Sequence, residues 1–526
     1  MATPFPNHPQ LRGNFAPINF EAQMQDLVVD GSIPDDLSGS LYRNGPNPKY
    51  APTGPYHWFG GDGMVHAFHF NDGRVDYLNR WVDTPKHIAE LAEGHSITRA
   101  RKPDPETGKL VSNHQNGLAN THILWHGDQL LALDEGSHPF ELEPMTLASK
   151  GYIENGRDLS GAMTAHPKID PMTGELHGFG YMTGYAGSPT MTYHVLDTAG
   201  AVIRSDEFEA PYPAMVHDFV ITTDYVIFPI FPLTFDMARA AKIGSPYAFD
   251  TSKGTHIGVL KRGAPVADIK WIEGPLCFVF HYQNAWNHGE QITVDTIEFA
   301  VAPNFPSVDG TLPTHAEAQG KLVRWHINMK NGEVRQEPVL DVASEFPRFD
   351  ERFTGARYSH GYIAAASKRQ RGDGGLFHEI THIDMDSGMA KTWDAGVGNG
   401  VSEPVFVPES MASAEGQQHP LGIYYKIWIL LFVLSGFSYA VDYFNVQGAM
   451  RWTLVLTFMF LKAGFIVAIF MHAVWERLAL VLTILGPPTV LLLFIGFMSI
   501  EGKYTEEARF AYMGHDRDAV ALTPAD

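Results

Sequence analysis

Two hydrophobic patterns divide the chain. Over residues 1–410, short apolar runs are broken by glycine turns. FHFNDGRVDYL (68–78), KIDPMTGELHGFGY (168–181), INMKNGEVRQEPV (327–339) and HIDMDSGMAKTW (382–393) each read as strand, turn, strand. Asp-Gly, Asn-Gly and Thr/Ser-Gly pairs supply the positive-φ residues that tight hairpins need. Only LTFDMARAAK (233–242) and HIAELAEGHSITRA (87–100) look helical, as insertions rather than framework. Hairpins spread along the chain without alternating helices predict an all-β fold, best matched by a β-propeller. After residue 410 the pattern changes. The runs 421–444, 452–474 and 478–500 are apolar over the length that a helix needs to cross a bilayer. Their connections are too short for a globular fold, so a three-helix transmembrane segment is expected. The expected domains are therefore 1–410 and 411–526. Lys462, near mid-span, must snorkel or face other protein, such as a partner subunit.

Charge follows the same division. The whole chain carries −21, of which residues 1–410 hold −19 and residues 411–526 only −2. An acidic chain is a poor partner for nucleic acid, and none is expected. Cys277 is the only cysteine, which excludes an internal disulfide and any cysteine-based zinc or iron–sulfur site. Residues 1–20 have neither a basic nor an apolar signal region, so no secretory signal is expected and the N-terminal domain is expected in the cytoplasm.

Candidate chemistry lies in the histidines, of which there are 25. His166 in MTAHPKID, His217 in AMVHDFV and His281 in FVFHYQNAW sit in apolar, strand-like runs. They are about one propeller blade apart, a spacing that can bring one ring per blade to a common axis. Imidazoles so gathered suit divalent iron, copper or zinc. A lone apolar-flanked histidine is more often a satisfied core residue, so both readings stand at this point. Glu135, Glu345 and Glu403 also lie in apolar runs. A buried carboxylate needs a specific partner, either the second N–H of a metal-bound histidine or an arginine such as Arg43 or Arg348.

In order along residues 1–408, YRNGPNP (42–48), FGGDGMVHAF (59–68), LANTH (118–122), LLALDEG (130–136), LEPMTL (142–147), TAHPKIDPMTGEL (164–176), MVHDF (215–219), FVFHYQNA (278–285), FPRFD (346–350) and SEPVFVP (402–408) resemble the carotenoid cleavage oxygenase family. The resemblance implies a seven-bladed propeller with Fe(II) on its axis, held by four histidines, three of them backed by glutamates. It implies that His166, His217 and His281 are iron ligands and that Glu135, Glu345 and Glu403 stand behind the ligand shell. It also implies a dioxygenase that uses dioxygen to split a conjugated C=C bond into two carbonyl products. Where the family continues with closing strands and a fourth histidine, this sequence turns at Met411 to MASAEGQQHPLGIYYKIW. That stretch resembles the small bacterial cytochrome c oxidase subunit IV family, over roughly 411–510. The expected propeller is thus incomplete, with its last blades missing, three assigned ligands, and Glu403 without a histidine partner. His419 is the nearest substitute in sequence, on a tether poorly suited to hold a ligand.

The stilbene-cleaving branch of the family usually has a lysine shortly before Ala-Asn-Thr, whereas HQNGLANTH (114–122) has none. The reading therefore favours an apolar polyene, a carotenoid or apocarotenoid; Lys109, Lys86 or His87 would have to serve a phenolic stilbene. A different class of function remains open, a catalytically impaired fusion acting as a membrane or cytochrome oxidase-associated protein. The expected location is the bacterial inner membrane.

Overall fold

The computed structural model describes residues 3–465 except 35, 55, 98–106, 111–112, 154–158, 367–376, 397 and 409–420, together with Gly502. The chain divides into two compact units, Met1–Gly416 and Gln417–Asp526.

Each of the four sequence hairpins forms. Strands Gly63–Asn71 and Arg74–Trp81 are joined by Asp72 and Gly73, with φ of 48° and 70°. Both residues therefore take the left-handed conformation that a two-residue turn matched to strand twist requires. The pairs Lys168–Ile169 with Leu176–Tyr181, Lys321–Asn328 with Glu333–Leu340, and Glu379–Asp384 with Ala390–Asp394 are likewise antiparallel.

The described residues of the first unit make six four-stranded antiparallel sheets, the blades of a propeller, spanning 22–81, 122–152, 168–209, 220–274, 278–340 and 343–394. Five of them meander in chain order, apart from an insertion in the fourth. In the first, Ala22–Met24 closes on Arg74–Trp81. The insertion is a two-stranded ribbon, Leu233–Phe235 with Tyr247–Phe249, carrying helix Met237–Ile243. The seven blades implied by the resemblance are not confirmed: six are found among the described residues. The helical expectation at 87–100 becomes helix Pro85–Glu93, opened by the Thr84 side chain and closed by left-handed Gly94.

Apolar faces are buried between neighbouring blades. Phe179, Phe219, Phe228 and Tyr193 fill one such space, with Phe219 and Phe228 stacked 5.9 Å apart. A larger cluster joins Ile257, Phe278, Trp325 and Ile363 across three blades. Full burial of each such ring is worth ~1.5–3 kcal/mol, so the gaps between sheets hold the framework that positions the axis.

In the second unit, helices Leu421–Tyr443 and Gly448–Phe465 fall on the first two apolar runs and touch through Phe437 and Phe458. Among the described residues no helix is long and apolar enough to cross a membrane. The run 478–500, His419 and the side chain of Lys462 lie outside the described residues.

Candidate metal centre

The three sequence-selected histidines arrive from three successive blades. His166 lies two residues before strand Lys168–Ile169, His217 three before Val220–Ile221, and His281 within Phe278–His288. The pairing of Phe278–His288 slips between Val279 and Tyr282, so His281 sits on a bulge. Glu345 stands at a second bulge, where the register of Ala343–Phe349 breaks between Glu345 and Arg348. There Phe346 is held at φ 54°. Bulges of this kind re-aim side chains, and here they turn His281 and Glu345 toward one another.

The result is a tight cluster. His217 Nε2 lies 3.0 Å from His166 Nε2 and 3.0 Å from His281 Nε2. Behind the rings, His281 Nδ1 meets Glu345 Oε2 at 2.7 Å, and His217 Nδ1 meets Glu135 Oε1. The Glu345 carboxylate also accepts the backbone N–H of Phe346. Burial, then the neighbouring His217 and His281 rings, push the pKa of His166 well below its ordinary value. Burial also depresses His281, but the Glu345 carboxylate and its hydrogen bond outweigh it and the net direction is up.

These residues fit a bound cation. A carboxylate on Nδ1 fixes the tautomer whose proton is on Nδ1 and leaves the Nε2 lone pair facing inward. Neutral rings so fixed, those of His217 and His281, point lone pairs at one another across 3.0 Å, which is repulsive unless a cation sits between them. Metal–nitrogen bonds of ~2.1 Å meeting near right angles separate their nitrogens by ~3.0 Å. A set of imidazoles with no thiolate suits divalent iron, copper or zinc.

The cluster lines a cavity of about 2760 Å³ whose wall is largely apolar and aromatic. Phe280 packs edge-on against His217 at 5.4 Å, and Phe346 lies 5.5 Å from His281. Trp58, Phe59 and Phe305 line the space further out.

Residues 15–427 match the family described as retinal pigment epithelial membrane protein, the carotenoid oxygenases. The chain belongs to the carotenoid oxygenase family. It is 34% identical over 427 residues to an isoeugenol monooxygenase of Pseudomonas nitroreducens, covering 79% of this chain and 89% of that one. It is also 34% identical to a carotenoid 9,10(9',10')-cleavage dioxygenase of Pisum sativum, over 76% of this chain and 79% of the relative. The crystal structure of a Pseudomonas brassicacearum lignostilbene dioxygenase superimposes with a TM-score of 0.72 at 32% identity, covering 78% of this chain and 88% of the other. Separately, residues 425–496 match the family of prokaryotic cytochrome c oxidase subunit IV.

Within this carotenoid oxygenase, Glu403 does not join a histidine of the cluster among the described contacts. Its Oε1 accepts from Arg348 Nη1 at 3.2 Å, the arginine alternative left open by the sequence. Burial raises the Glu403 pKa, but Arg348 together with His122, His281 and Lys168 outweighs it and holds the carboxyl below its usual range. His122, the last residue of LANTH, stacks on His166 with centroids 5.8 Å apart and lines the cavity. The LANTH motif marks this stretch in the sequence, but nothing local singles out His122 within it. Lys86, His87 and Lys109 are not among the residues lining the cavity. Lys86 is buried between Asp62 and Glu90, each at 2.7 Å, His87 stacks on Trp81, and Lys109 caps the Tyr185 ring.

Proposed function

We propose that the first unit is an Fe(II)-dependent dioxygenase that splits a conjugated C=C bond of a carotenoid or apocarotenoid into two carbonyl products. The observation that carries this reading is the convergence of the His166, His217 and His281 Nε2 atoms on one wall of a large apolar cavity. His166, His217 and His281 would hold the iron through those atoms. Glu135 and Glu345 would keep the Nδ1 protons in place, and so keep the Nε2 lone pairs inward. Iron bound there supplies the capacity to bring dioxygen into reaction with an electron-rich alkene. Phe280, Phe346, Trp58 and Phe59 contribute flat apolar walls that hold a rigid, elongated alkene and exclude water.

A second substrate class, a phenolic propenyl or stilbene alkene, is favoured by the names of the isoeugenol and lignostilbene relatives. The positions of Lys86, His87 and Lys109 away from the cavity favour the polyene. Incubating the iron-loaded full chain with an apocarotenal and, separately, isoeugenol distinguishes them. Oxygen-dependent cleavage of the apocarotenal supports the first reading, and aldehyde from isoeugenol alone transfers the proposal to the second.

For the second unit we propose membrane attachment at the bacterial inner membrane, with the oxygenase unit on the cytoplasmic side and cytochrome oxidase subunits as the partner class. Its support is the subunit IV match and the exposed Phe432, Phe437, Trp452 and Phe460 on its two described helices, apolar surface that water does not favour.

A further inference from the structure

The carboxylate behind His217 is itself held from behind. Tyr181, at the end of strand Leu176–Tyr181, donates its hydroxyl to Glu135 Oε2 at 2.6 Å, leaving Oε1 to His217 Nδ1. Tyr247, a residue of the inserted ribbon that lines the cavity, interacts with the same Tyr181 hydroxyl. Tyr181, Glu135 and His217 therefore form a hydrogen-bonded chain, with Tyr247 beside its outer end, that leads to the ring standing 3.0 Å from both other histidines. The terminal torsion of a glutamate is broad and two-fold, so one bond to Oε1 does not fix the carboxylate plane. A second bond, to Oε2 from a rigid phenol, does.

We propose that Tyr181, backed by Tyr247, is a positioning residue of the metal centre: it locks the Glu135 carboxylate and so aims His217 Nε2 at the point shared with His166 and His281. The inference rests on the reading of these histidines as a metal site.

The test is titration of the full-length apoprotein with Co(II), following its visible absorption bands. Loss of a carboxylate or carbonyl directly bonded to a ligand histidine typically costs ~10–100-fold in metal affinity. Tyr181 acts one bond further out, so Tyr181→Phe is expected to raise the Co(II) Kd by about 3–10-fold and to shift the bands. Tyr193→Phe removes a buried hydroxyl in the same sheet, one bonded to His177 instead, and is expected to leave both unchanged. Tyr247→Phe is expected to move Kd and bands in the same direction by less, and it decides the matter if Tyr181→Phe does not fold. Wild-type Kd and bands in the folded variants would overturn the role of Tyr181 while leaving the metal site standing. Absence of Co(II) binding by both the wild type and His217→Ala would overturn the metal site and this inference together.

Discussion

His217 is the residue on which the site turns, because its Nε2 is the one within 3.0 Å of both other rings and its Nδ1 faces Glu135. Replacing it by alanine removes the shared nitrogen, and metal retention is expected to be abolished in a protein that still folds; metal analysis after dialysis checks this. Glu345→Gln keeps the shape but not the charge behind His281, and should weaken metal binding by ~10–100-fold. At this scale the sequence was informative about type and incomplete about partnership. Spacings of 51 and 64 residues brought out His166, His217 and His281, and the structure gathers all three. The pairing of Glu135 with His217, across 82 residues, depends on which strand ends meet at the axis, which no local pattern encodes. Tyr181 and His122 were missed for the same reason, and Glu403 took Arg348 because that guanidinium lies beside it in the fold.

Among elements, the turns were legible and the bulges were not. Asp-Gly and Asn-Gly pairs announce hairpins through φ alone, whereas the slips at His281 and Glu345 arise from pairing with distant strands. Phe346, a non-glycine at φ 54°, marks such a slip beside the histidine cluster, where the bond from its N–H to Glu345 helps to hold it. Helix Pro85–Glu93 gives a sharper case. Lys86 is a candidate substrate contact by its place in the sequence, yet the helix buries it between Asp62 and Glu90. Burial raises the Asp62 pKa, but the neighbouring His87 and Lys86 together outweigh it and take that carboxyl down to about 2. Lys86→Ala would strand two buried carboxylates, an expected loss of ~3–5 kcal/mol read from the urea midpoint. Removing Asp62 and Glu90 as well should restore much of that loss, and failure to do so would mean that packing of the lysine stem matters more than its charge.

For the whole molecule, two buried histidines set an acid limit. Burial, reinforced by Arg262, lowers His177 to about 4, and burial lowers His194 to about 4. From about pH 6.5 down to 4 the unfolded chain takes up protons that the folded one refuses, so stability rises with pH across that window and falls on acidification. The denaturation midpoint is expected to be lower at pH 5 than at pH 7, and His194→Gln to flatten the slope; a flat wild-type profile would contradict this. The long apolar runs after residue 410 lead to a second expectation, that the full chain sediments with membranes and is released by detergent but not by high salt. Release by salt would point to a surface attachment instead. The all-β propeller was readable from hairpin recurrence. The number of blades was not, because strand counts do not reveal how the sheets close around the axis.

The first unit is proposed to hold a three-histidine iron centre that cleaves an alkene. The most direct measurement is iron per polypeptide in the purified full chain, taken on the same sample as oxygen-dependent carbonyl formation from an apocarotenal. Iron near one per chain, with product that disappears in His217→Ala, is the predicted result. Folded wild-type protein that takes up no iron and forms no product from any alkene tested would contradict it.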